Sequence, residues 1–552
     1  MIALLFWACG PAVVGVDPPT QDTGSDPLEE PFPWERVLQV DVTVDPDDWD
    51  ALRTQGRNLG DILGGDCLAQ EFDKPWSWFD ADVTVDGDRF PTARVRKKGF
   101  LGSLSETRPS LKVRFDQGGD QLWRGLDRLT LNNSRQDASR LNTCLAYEVF
   151  RSAGVPAPRC SYAQVWVNGE SLGLYANVES VREPFLTAQF GDPTGEHWEG
   201  TVSDFRTEYI GTFEDKNDAA KDSDGASLDA IRAILEDAPD ETLLDDLDAW
   251  IDVDAYLTFW ATEILVGHWD GYASNTNNYF LYRDPADDRF DFMPWGTDAV
   301  LHGSASAVAA NGILARRLYL HDDGRQAYLD RMQELLDTVW DEDGLLAEVD
   351  RLEDLVGAIA SEDNDGFADS VDGIREFLTV RRSDVQSQLD DGGPSWTQDL
   401  RGTPCFVESG TVAATFETDW GSWQSTDPWG EGTSDPTILW EGQQVPWIDA
   451  GAIAGDPGDG TGAVGLTVQL DESSLALAYL NGAQAHFAGP GALPVDFGTL
   501  TGALYYADAA SGYEFQFLGY LFDGDVVLDE SGTATGDAVR GSLELSVVNW
   551  GW

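Results

Sequence analysis

Residues 269–298 read WDGYASNTNNYFLYRDPADDRFDFMPWGTD and predict a pair of strands with acidic side chains at both ends. The runs NYFLYRD and RFDFMPW are rich in aromatic and aliphatic residues, and the acidic turn between them favours a hairpin. Asp270 lies before the first strand and Asp298 follows the second. The amide side chains ahead of the first strand are those of Asn275, Asn277 and Asn278.

This ordered set of side chains is typical of phosphoryl transfer. One aspartate orients or deprotonates the attacking hydroxyl, while an asparagine and a later aspartate hold Mg²⁺ against the phosphates. Asp and Asn suit that task because hard cations take oxygen ligands. The alternative is that these residues only form turns between strands, where both residue types are common.

A cationic motif precedes this segment, at residues 93–116, which read ARVRKKGFLGSLSETRPSLKVRFD. Strand alternation places every second residue on one face. If the two strands pair in register, that face carries Arg94, Arg96, Lys98, Lys112 and Arg114. The connection contains Gly99 and Gly102, and small residues with free backbone N–H groups can approach phosphate oxygens closely. The alternative is a solvated cationic face paired with surrounding acids.

The overall charge sharpens this expectation. The chain has 552 residues with 98 Asp plus Glu and 35 Lys plus Arg, a formal charge of −63. So acidic a chain is a poor candidate for binding nucleic acid or for docking onto an anionic membrane by charge. Six of its cations are lysines, and three of these fall between Lys97 and Lys112. An anion site here requires a local cationic pocket, and this segment is where we expect one.

The N-terminus reads MIALLFWACG, and its apolar run is similar to the end of a bacterial lipoprotein signal with Cys9 as the lipidated residue. It predicts a partial lipoprotein-type signal over residues 1–9 and a disordered tether over residues 10–35. We therefore expect an extracytoplasmic protein that contacts a membrane only through a lipid at Cys9. The alternative is a cytosolic protein with an apolar start.

The remaining cysteines are Cys67, Cys144, Cys160 and Cys405. They permit two disulfides in three possible pairings, and buried free thiols are the alternative. None forms a CxxC motif, which argues against a structural zinc site.

Residue composition and the strand and helix patterns divide the rest of the chain into two larger domains. Residues 36–395 alternate strand and helix patterns, with a helix predicted over residues 137–154 and a hairpin turning at the Asn-Gly pair at 168–169. Residues 405–552 are rich in Gly, Thr, Ser and aromatics, with short strands and turns, and predict a β-sandwich or barrel-like module. That module carries 21 acids and one cation, Arg540, so we expect attachment, recognition or a structural role rather than phosphate binding.

A series of motifs in this chain resembles the spore-coat CotH kinase family, a group of atypical secreted protein kinases. The series runs through most of residues 36–390: VRKKG (95–99), SLKVRFD (110–116), LTLNNSRQDASRLNTCLAYEVFRSAGVPAPR (129–159), WVNGESLGLYANVES (166–180), FEDKND (213–218), WDGYASNTNNYFLYRD (269–284), FMPWGTD (292–298) and FLTVRRSDVQSQL (377–389). Each motif alone is weak, whereas the ordered series is specific.

The resemblance implies a divergent protein-kinase-like domain. The fold class we expect is therefore α+β, with that domain followed by an all-β, sandwich-like C-terminal domain. The resemblance also implies ATP with Mg²⁺ or Mn²⁺, and a protein substrate whose Ser or Thr is the acceptor. The residues expected to contact the nucleotide are Lys98, Lys112, Arg96 and Lys216. Glu148 and Glu179 are candidates to orient a lysine.

Carried over by motif, Asp270 would be the catalytic aspartate and Asp298 the chief metal ligand. Asn278 is the expected second metal ligand, and Asn275 competes with it because it lies at the protein-kinase-like Asp-x4-Asn spacing. Relatives usually read Pro-Trp-Asp-x-Asp, whereas this chain has Gly296 in place of the first Asp. A catalytically silent surface scaffold or adhesin is therefore one alternative, and a kinase or nucleotide transferase for another acceptor is the other.

Overall fold

The structure, a computed structural model, describes residues 31–115, 121–303, 306–362, 364–424 and 432–551. The predicted signal with Cys9 and most of the predicted tether lie outside the described residues. The described chain forms a mixed α+β domain followed by an all-β domain, which confirms the predicted fold class. No helix within these ranges has both the length and the apolar character needed to cross a bilayer.

The first strands close into a barrel. They are β1 (Val37–Val44), β2 (Phe79–Val85), β3 (Asp88–Lys98), β4 (Ser110–Arg114), β5 (Arg128–Asn132), β6 (Cys160–Val167) and β7 (Glu170–Val178). β1 pairs with β6 in parallel and with β2 antiparallel. Alternate residues of β1, such as Val40 and Val42, are buried in the barrel core. The predicted hairpin is confirmed: β6 and β7 are joined at Asn168 and Gly169, which both have positive φ angles.

The cationic strands pair in the register that the sequence predicts. In β3 and β4, Arg94 lies opposite Arg114 and Arg96 lies opposite Lys112. The residues between them, such as Val95, are fully buried in the barrel core. Because the apolar residues occupy the inner face, the alternating cations share the outer face.

Helices and a smaller sheet build the rest of the α+β domain. The helices are α1 (Pro46–Thr54), α2 (Leu59–Leu63), α3 (Asn142–Ser152), α4 (Glu183–Phe190), α5 (Asp218–Ser223), α6 (Ala226–Asp237), α7 (Asp240–Asp248), α8 (Val253–Leu265), α9 (Tyr272–Asn275), α10 (Ile313–Leu320), α11 (Asp322–Thr338), α12 (Glu342–Ala360) and α13 (Phe367–Asp390). The sheet has the order β11-β10-β8-β9, with β8 (His197–Gly200), β9 (Glu214–Asp215), β10 (Tyr279–Asp284) and β11 (Arg289–Pro294). β10 and β11 form the predicted antiparallel pair.

Helix α3 begins later than the sequence predicts. We expect a helix over residues 137–154, but the helix spans Asn142–Ser152. Arg140 has a φ of +62°, outside the helical region. The Asp137 carboxylate accepts hydrogen bonds from the backbone N–H groups of Ser139 and of the first helical residue. The polar residues that resemble a helix cap therefore hold a turn ahead of the helix.

The C-terminal domain is one curled antiparallel sheet. Its strands are β12 (Phe406–Asp419), β13 (Thr433–Trp440), β14 (Gln443–Gln444), β15 (Asp449–Gly455), β16 (Thr461–Asp471), β17 (Ser474–Ala483), β18 (Gly491–Pro494), β19 (Leu500–Asp508), β20 (Gln516–Glu530) and β21 (Ala538–Trp550). At the end of β12, Trp420 forms a bridge with Ala454 of β15, so the sheet folds back on itself. Its core includes Val412, Leu466 and Leu545. The all-β prediction is confirmed, in its barrel-like rather than its two-sheet form.

The four cysteines form disulfides in one of the three possible pairings. Cys144 in α3 is bonded to Cys160 at the start of β6. Cys67, which follows α2, is bonded to Cys405, immediately before β12. The second bond therefore joins the α+β domain covalently to the beginning of the C-terminal domain.

Candidate active site

A cavity of about 500 Å³ lies between the outer face of β3 and β4 and the ends of the β10–β11 hairpin. All the residues predicted to bind nucleotide or metal or to act as the catalytic acid or base line it: Arg96, Lys98, Lys112, Lys216, Asp270, Asn275, Asn278 and Asp298. Lys74 lines it as well, so four of the six lysines of the chain border one cavity. In a chain with a formal charge of −63, this is a strong local concentration of positive charge. The roles of these residues stay predictions.

The barrel wall of the cavity is cationic. Burial lowers the pKa of Lys98, and the Asp298 carboxylate partly offsets this effect. Burial lowers the pKa of Lys112 further, and repulsion from Lys216 and Arg96 adds to the decrease. Closely spaced and partly desolvated cations repel one another, and a bound polyanion would relieve that repulsion. The wall is therefore suited to phosphate groups.

Lys216 differs from the other two lysines because two carboxylates neutralise it. Its Nζ donates to Glu199 on β8 and to Glu214 on β9. Burial alone would lower the pKa of Lys216, but these two charges outweigh it and raise the pKa. Lys112 also contributes to lowering the pKa of Glu199, although burial opposes this. Lys216 thus ties β8 to β9 and sets the edge of the cavity.

The acids expected to orient a lysine do not do so. Glu148 pairs with Arg151 within α3, and Glu179 pairs with Arg159 at 2.6 Å. Glu199 occupies the position beside the lysines instead. The sequence offers no local signal for it, because its contact with Lys216 depends on the pairing of β8 with β9.

On the opposite wall, three amide groups hold the Asp270 carboxylate. Its Oδ1 accepts hydrogen bonds from Asn275 Nδ2 at 2.6 Å and from Asn277 Nδ2 at 3.2 Å. Its Oδ2 accepts one from Asn278 Nδ2 at 2.7 Å. Burial raises the pKa of Asp270, and the three amide donors oppose that shift. The carboxylate is fixed in direction while it borders the cavity.

The amide oxygens of these asparagines have different surroundings. Asn275 Oδ1 accepts from the Arg401 guanidinium at 3.4 Å, and Asn277 Oδ1 accepts from the backbone N–H of Val202 at 3.0 Å. Asn278 Oδ1 faces Gly296, where a Cβ atom would lie only 2.5 Å away. Gly296 also has a φ of +54°, in the left-handed region that favours glycine. The glycine at position 296, where the family resemblance leads us to expect an Asp, therefore makes room for Asn278.

Asp298 is nearly buried, with 7% of its surface exposed. Burial raises its pKa to about 7, and the nearby carboxylates of Asp137 and Asp270 add to the increase while Lys98 opposes it. Its backbone carbonyl accepts a hydrogen bond from Asn142 Nδ2 at 3.0 Å. This contact joins the end of the hairpin to the start of α3.

The donor set fits a hard divalent cation. Asp298 and Asn278, with Asp270 nearby, offer carboxylate and amide oxygens, which are the ligands that Mg²⁺ and Mn²⁺ prefer. A cation beside Asp298 would also stabilise its ionised form, which burial disfavours. Among the described residues, no three His, Cys, Asp or Glu side chains converge, as they would in a site built from those types alone.

Glu263 is a supporting residue that the sequence analysis misses. It is fully buried in α8 and accepts hydrogen bonds from the backbone N–H groups of Tyr272 at 2.9 Å and Ala273 at 3.1 Å. It thereby fixes the start of α9, between Asp270 and Asn275. Burial raises its pKa to about 8. The signal in the sequence is an acid near the end of the largely apolar helix VDAYLTFWATEIL, whose other acid, Asp254, lies in the first turn.

A cationic barrel face opposite a buried set of aspartates and asparagines is the arrangement expected of a kinase-like protein. Residues 95–385, just over half of the chain, match the family described as CotH kinase protein. The chain belongs to this family, which confirms the resemblance seen in its motifs.

Two curated relatives are similar to parts of the chain. Inner spore coat protein H of Bacillus subtilis is 26% identical over 237 residues, which cover 40% of this chain and 64% of the relative. Invasin CotH2 of Rhizopus delemar is 22% identical over 184 residues, which cover 31% of this chain and 31% of the relative. The chain thus spans less than two thirds of either relative. Among solved structures, the proinflammatory kinase CtkA of Helicobacter pylori covers 53% of this chain and 94% of its own, with 10% identity and a TM-score of 0.28.

Proposed function

We propose that this protein is an ATP- and divalent-metal-dependent kinase that phosphorylates Ser or Thr residues of exported or cell-surface proteins. The observation that supports it most directly is the opposition of Lys98 and Lys112 to Asp270 and Asp298 across one cavity. A phosphotransferase requires both walls, because phosphates need positive charge while the attacking hydroxyl needs an oriented acceptor for its proton.

In this proposal the barrel wall binds the nucleotide. Lys98, Lys112 and Arg96 contact phosphate oxygens, and Glu199 limits how far the lysines can move because it lies among them. Asp298 and Asn278 would hold Mg²⁺ or Mn²⁺, which supplies charge neutralisation at the transferred phosphoryl group.

The hairpin wall orients the acceptor. Asp270 accepts a hydrogen bond from the acceptor hydroxyl and takes its proton as the hydroxyl oxygen bonds to the γ-phosphorus and the bond to ADP breaks. The three amide donors keep this carboxylate in one orientation, so little reorganisation is needed during the reaction.

The proposal places the reaction outside the cytoplasm. The Cys67–Cys405 and Cys144–Cys160 disulfides support this location, since such bonds persist in oxidising compartments. The relatives named as a spore coat protein and an invasin are compatible with it. A lipid anchor at Cys9 and the absence of a nucleic-acid partner belong to the same proposal.

Two measurements test the proposed function. Thermal unfolding is followed with ATP in the presence and absence of Mg²⁺ or Mn²⁺, and stabilisation by ATP should depend strongly on the metal. Equal stabilisation in both conditions would count heavily against the mechanism. Mass spectrometry of Ser/Thr-containing proteins after incubation with ATP should show added phosphate, and added AMP would identify a nucleotide transferase instead.

A catalytically silent scaffold is the second candidate, and Gly296 is the observation that favours it. If the Asp usual at this position is essential, ATP would bind without transfer. Phosphate transfer that is lost in Asp298→Ala would exclude the scaffold. Metal-dependent binding of ATP with no transfer to any acceptor would support it.

A further inference from the structure

The segment between the two domains is bound along the surface of the α+β domain. We call residues 394–405 the strap. Backbone carbonyls of the strap accept hydrogen bonds from side chains of that domain: Tyr319 to Pro394 (2.7 Å), Arg316 to Gln398 (2.7 Å), Arg206 to Arg401 (2.6 Å) and Tyr209 to Gly402 (2.6 Å). The buried Asp204 in turn holds Arg206 at 2.6 Å. The strap is therefore fixed along its length.

The strap connects the two walls of the cavity. On the hairpin wall, Arg401 donates to Asn275 Oδ1 at 3.4 Å, next to the candidate catalytic aspartate. At its end, Cys405 is bonded to Cys67. Cys67 lies in the segment 57–76, which we call the entrance loop and which belongs to the barrel side of the cavity. Entrance-loop residues that line the cavity are Arg57, Ile62, Leu63, Phe72, Lys74 and Trp76.

The C-terminal domain packs on the barrel side of the cavity, against the entrance loop. The apolar contact, which we call the interdomain cluster, includes Ile62, Leu63, Phe100, Leu101, Phe406, Phe522, Val548 and Trp550. Phe100 and Leu101 belong to the glycine-rich connection that follows β3, and Trp550 lines the cavity itself. The packing is close at Gly60, where a Cβ atom would lie 1.9 Å from the Phe522 ring. The C-terminal domain thus contacts both the entrance loop and the glycine-rich connection.

We propose that the strap, its Cys67–Cys405 bond and the interdomain cluster form a clasp that holds the two walls of the cavity together and slows nucleotide release. The inference rests on the proposed function. A loop over the phosphates must move for the nucleotide to leave, and contacts that hold such a loop limit the rate of that motion. The C-terminal domain therefore positions the nucleotide site, although it supplies almost no positive charge.

The first test compares two double variants of the full chain. Cys67→Ser with Cys405→Ser removes the clasp bond, and Cys144→Ser with Cys160→Ser removes the disulfide inside the α+β domain as a matched control. Dissociation of mant-ADP in the presence of Mg²⁺ is followed by stopped-flow fluorescence. We expect release to accelerate about tenfold in the first variant and to stay at the wild-type rate in the control.

A second pair of variants keeps the disulfide. Gly60→Ala pushes against Phe522, whereas Gly56→Ala, whose nearest neighbour beyond the adjacent residues is 4.0 Å away, is the control. Faster release in Gly60→Ala alone would support the clasp independently of the cysteines. Wild-type release rates in both the Cys67/Cys405 and Gly60 variants would overturn the clasp and leave the proposed function intact. Failure of the wild-type protein to bind mant-ADP would overturn both proposals.

Discussion

The two walls of the cavity hold their charges by different means. On the barrel wall, strand register fixes Lys98 and Lys112, and both have pKa values lowered by burial. On the hairpin wall, three nearby asparagines donate to the Asp270 carboxylate, and Asn142 donates to the backbone carbonyl of Asp298. The barrel wall thus supplies positive charge with little specific hydrogen bonding, and the hairpin wall supplies oriented oxygen atoms. Variants of one wall should therefore change the kinetic constants and the stability differently from variants of the other wall.

The largest expected effect is at Asp298 on the hairpin wall. Asp298→Asn removes the charge that would hold the metal, and we expect kcat/KM for phosphate transfer to fall by about 10³-fold or more. Asp291→Asn is a matched control, because Asp291 lies on the same hairpin outside the cavity and burial likewise raises its pKa to about 7. Equal losses in the two variants would contradict a metal-binding role for Asp298.

The barrel wall should respond through nucleotide affinity. Lys112→Met removes a desolvated cation, so we expect KM for ATP to rise by about 10- to 100-fold while stability is unchanged or slightly raised. Steady-state kinetics at several ATP concentrations, with thermal unfolding of the same samples, checks both parts.

Lys216, which follows β9 at the edge of the smaller sheet, provides the contrast with Lys112. Lys216→Met leaves Glu199 and Glu214 without their shared partner, so the free energy of unfolding should fall by about 3 kcal/mol. If Lys112→Met destabilised the protein as much as Lys216→Met does, the distinction between a binding lysine and a structural lysine would be wrong.

Gly296 tests how closely the hairpin wall is packed. Gly296→Ala adds a Cβ at a positive φ and against Asn278, so it should displace that side chain and lower kcat by about tenfold. Gly303→Ala has a φ of +86° with no atom within 4 Å of the new Cβ, so it carries the backbone strain alone. We expect similar losses of stability, about 1 kcal/mol each, but loss of kcat only in the first variant.

The sequence predicts the barrel wall better than the hairpin wall. The register of β3 and β4 follows from strand alternation. A slip by one residue would move the apolar residues between the cations from the buried face to the outer face. The sequence also predicts the hairpin and its flanking aspartates, but not the contacts that support them. The contact of Asn142 with Asp298 joins residues 156 positions apart, and no local pattern reveals such a contact.

Other features could not be predicted for similar reasons. The sequence predicts too early a start for α3 because Asp137 and Ser139 are residue types that cap helices, whereas here their side chains form a turn ahead of the helix. The position of Glu199 beside Lys216 depends on strand pairing, and the disulfide pairing depends on how the domains pack. Charge counts predict that the C-terminal domain does not bind phosphate, but they give no signal that Trp550 lines the cavity.

The smallest expected effect concerns Glu263, which supports the hairpin wall from behind. Burial raises its pKa to about 8, above its ordinary value, so the folded protein holds a proton that the unfolded chain releases at lower pH. Its contribution to stability is therefore present at acidic pH and is lost as the pH rises through about 8. Glu263→Gln keeps an oxygen acceptor for Tyr272 or Ala273 but has no charge to lose.

Thermal unfolding between about pH 5 and about pH 8, the interval between the unfolded and folded pKa of Glu263, separates the two proteins. The wild-type melting temperature should fall across this range relative to that of Glu263→Gln. The other buried acids with raised pKa values are common to both proteins, so their effect cancels in the comparison; they are Asp137, Asp204, Asp270, Asp291 and Asp298. Glu263→Leu separates charge from hydrogen bonding: it should also flatten the pH dependence, but it leaves two buried N–H groups without an acceptor and should lower kcat. Parallel melting curves for wild type and Glu263→Gln would mean that Glu263 titrates outside this range.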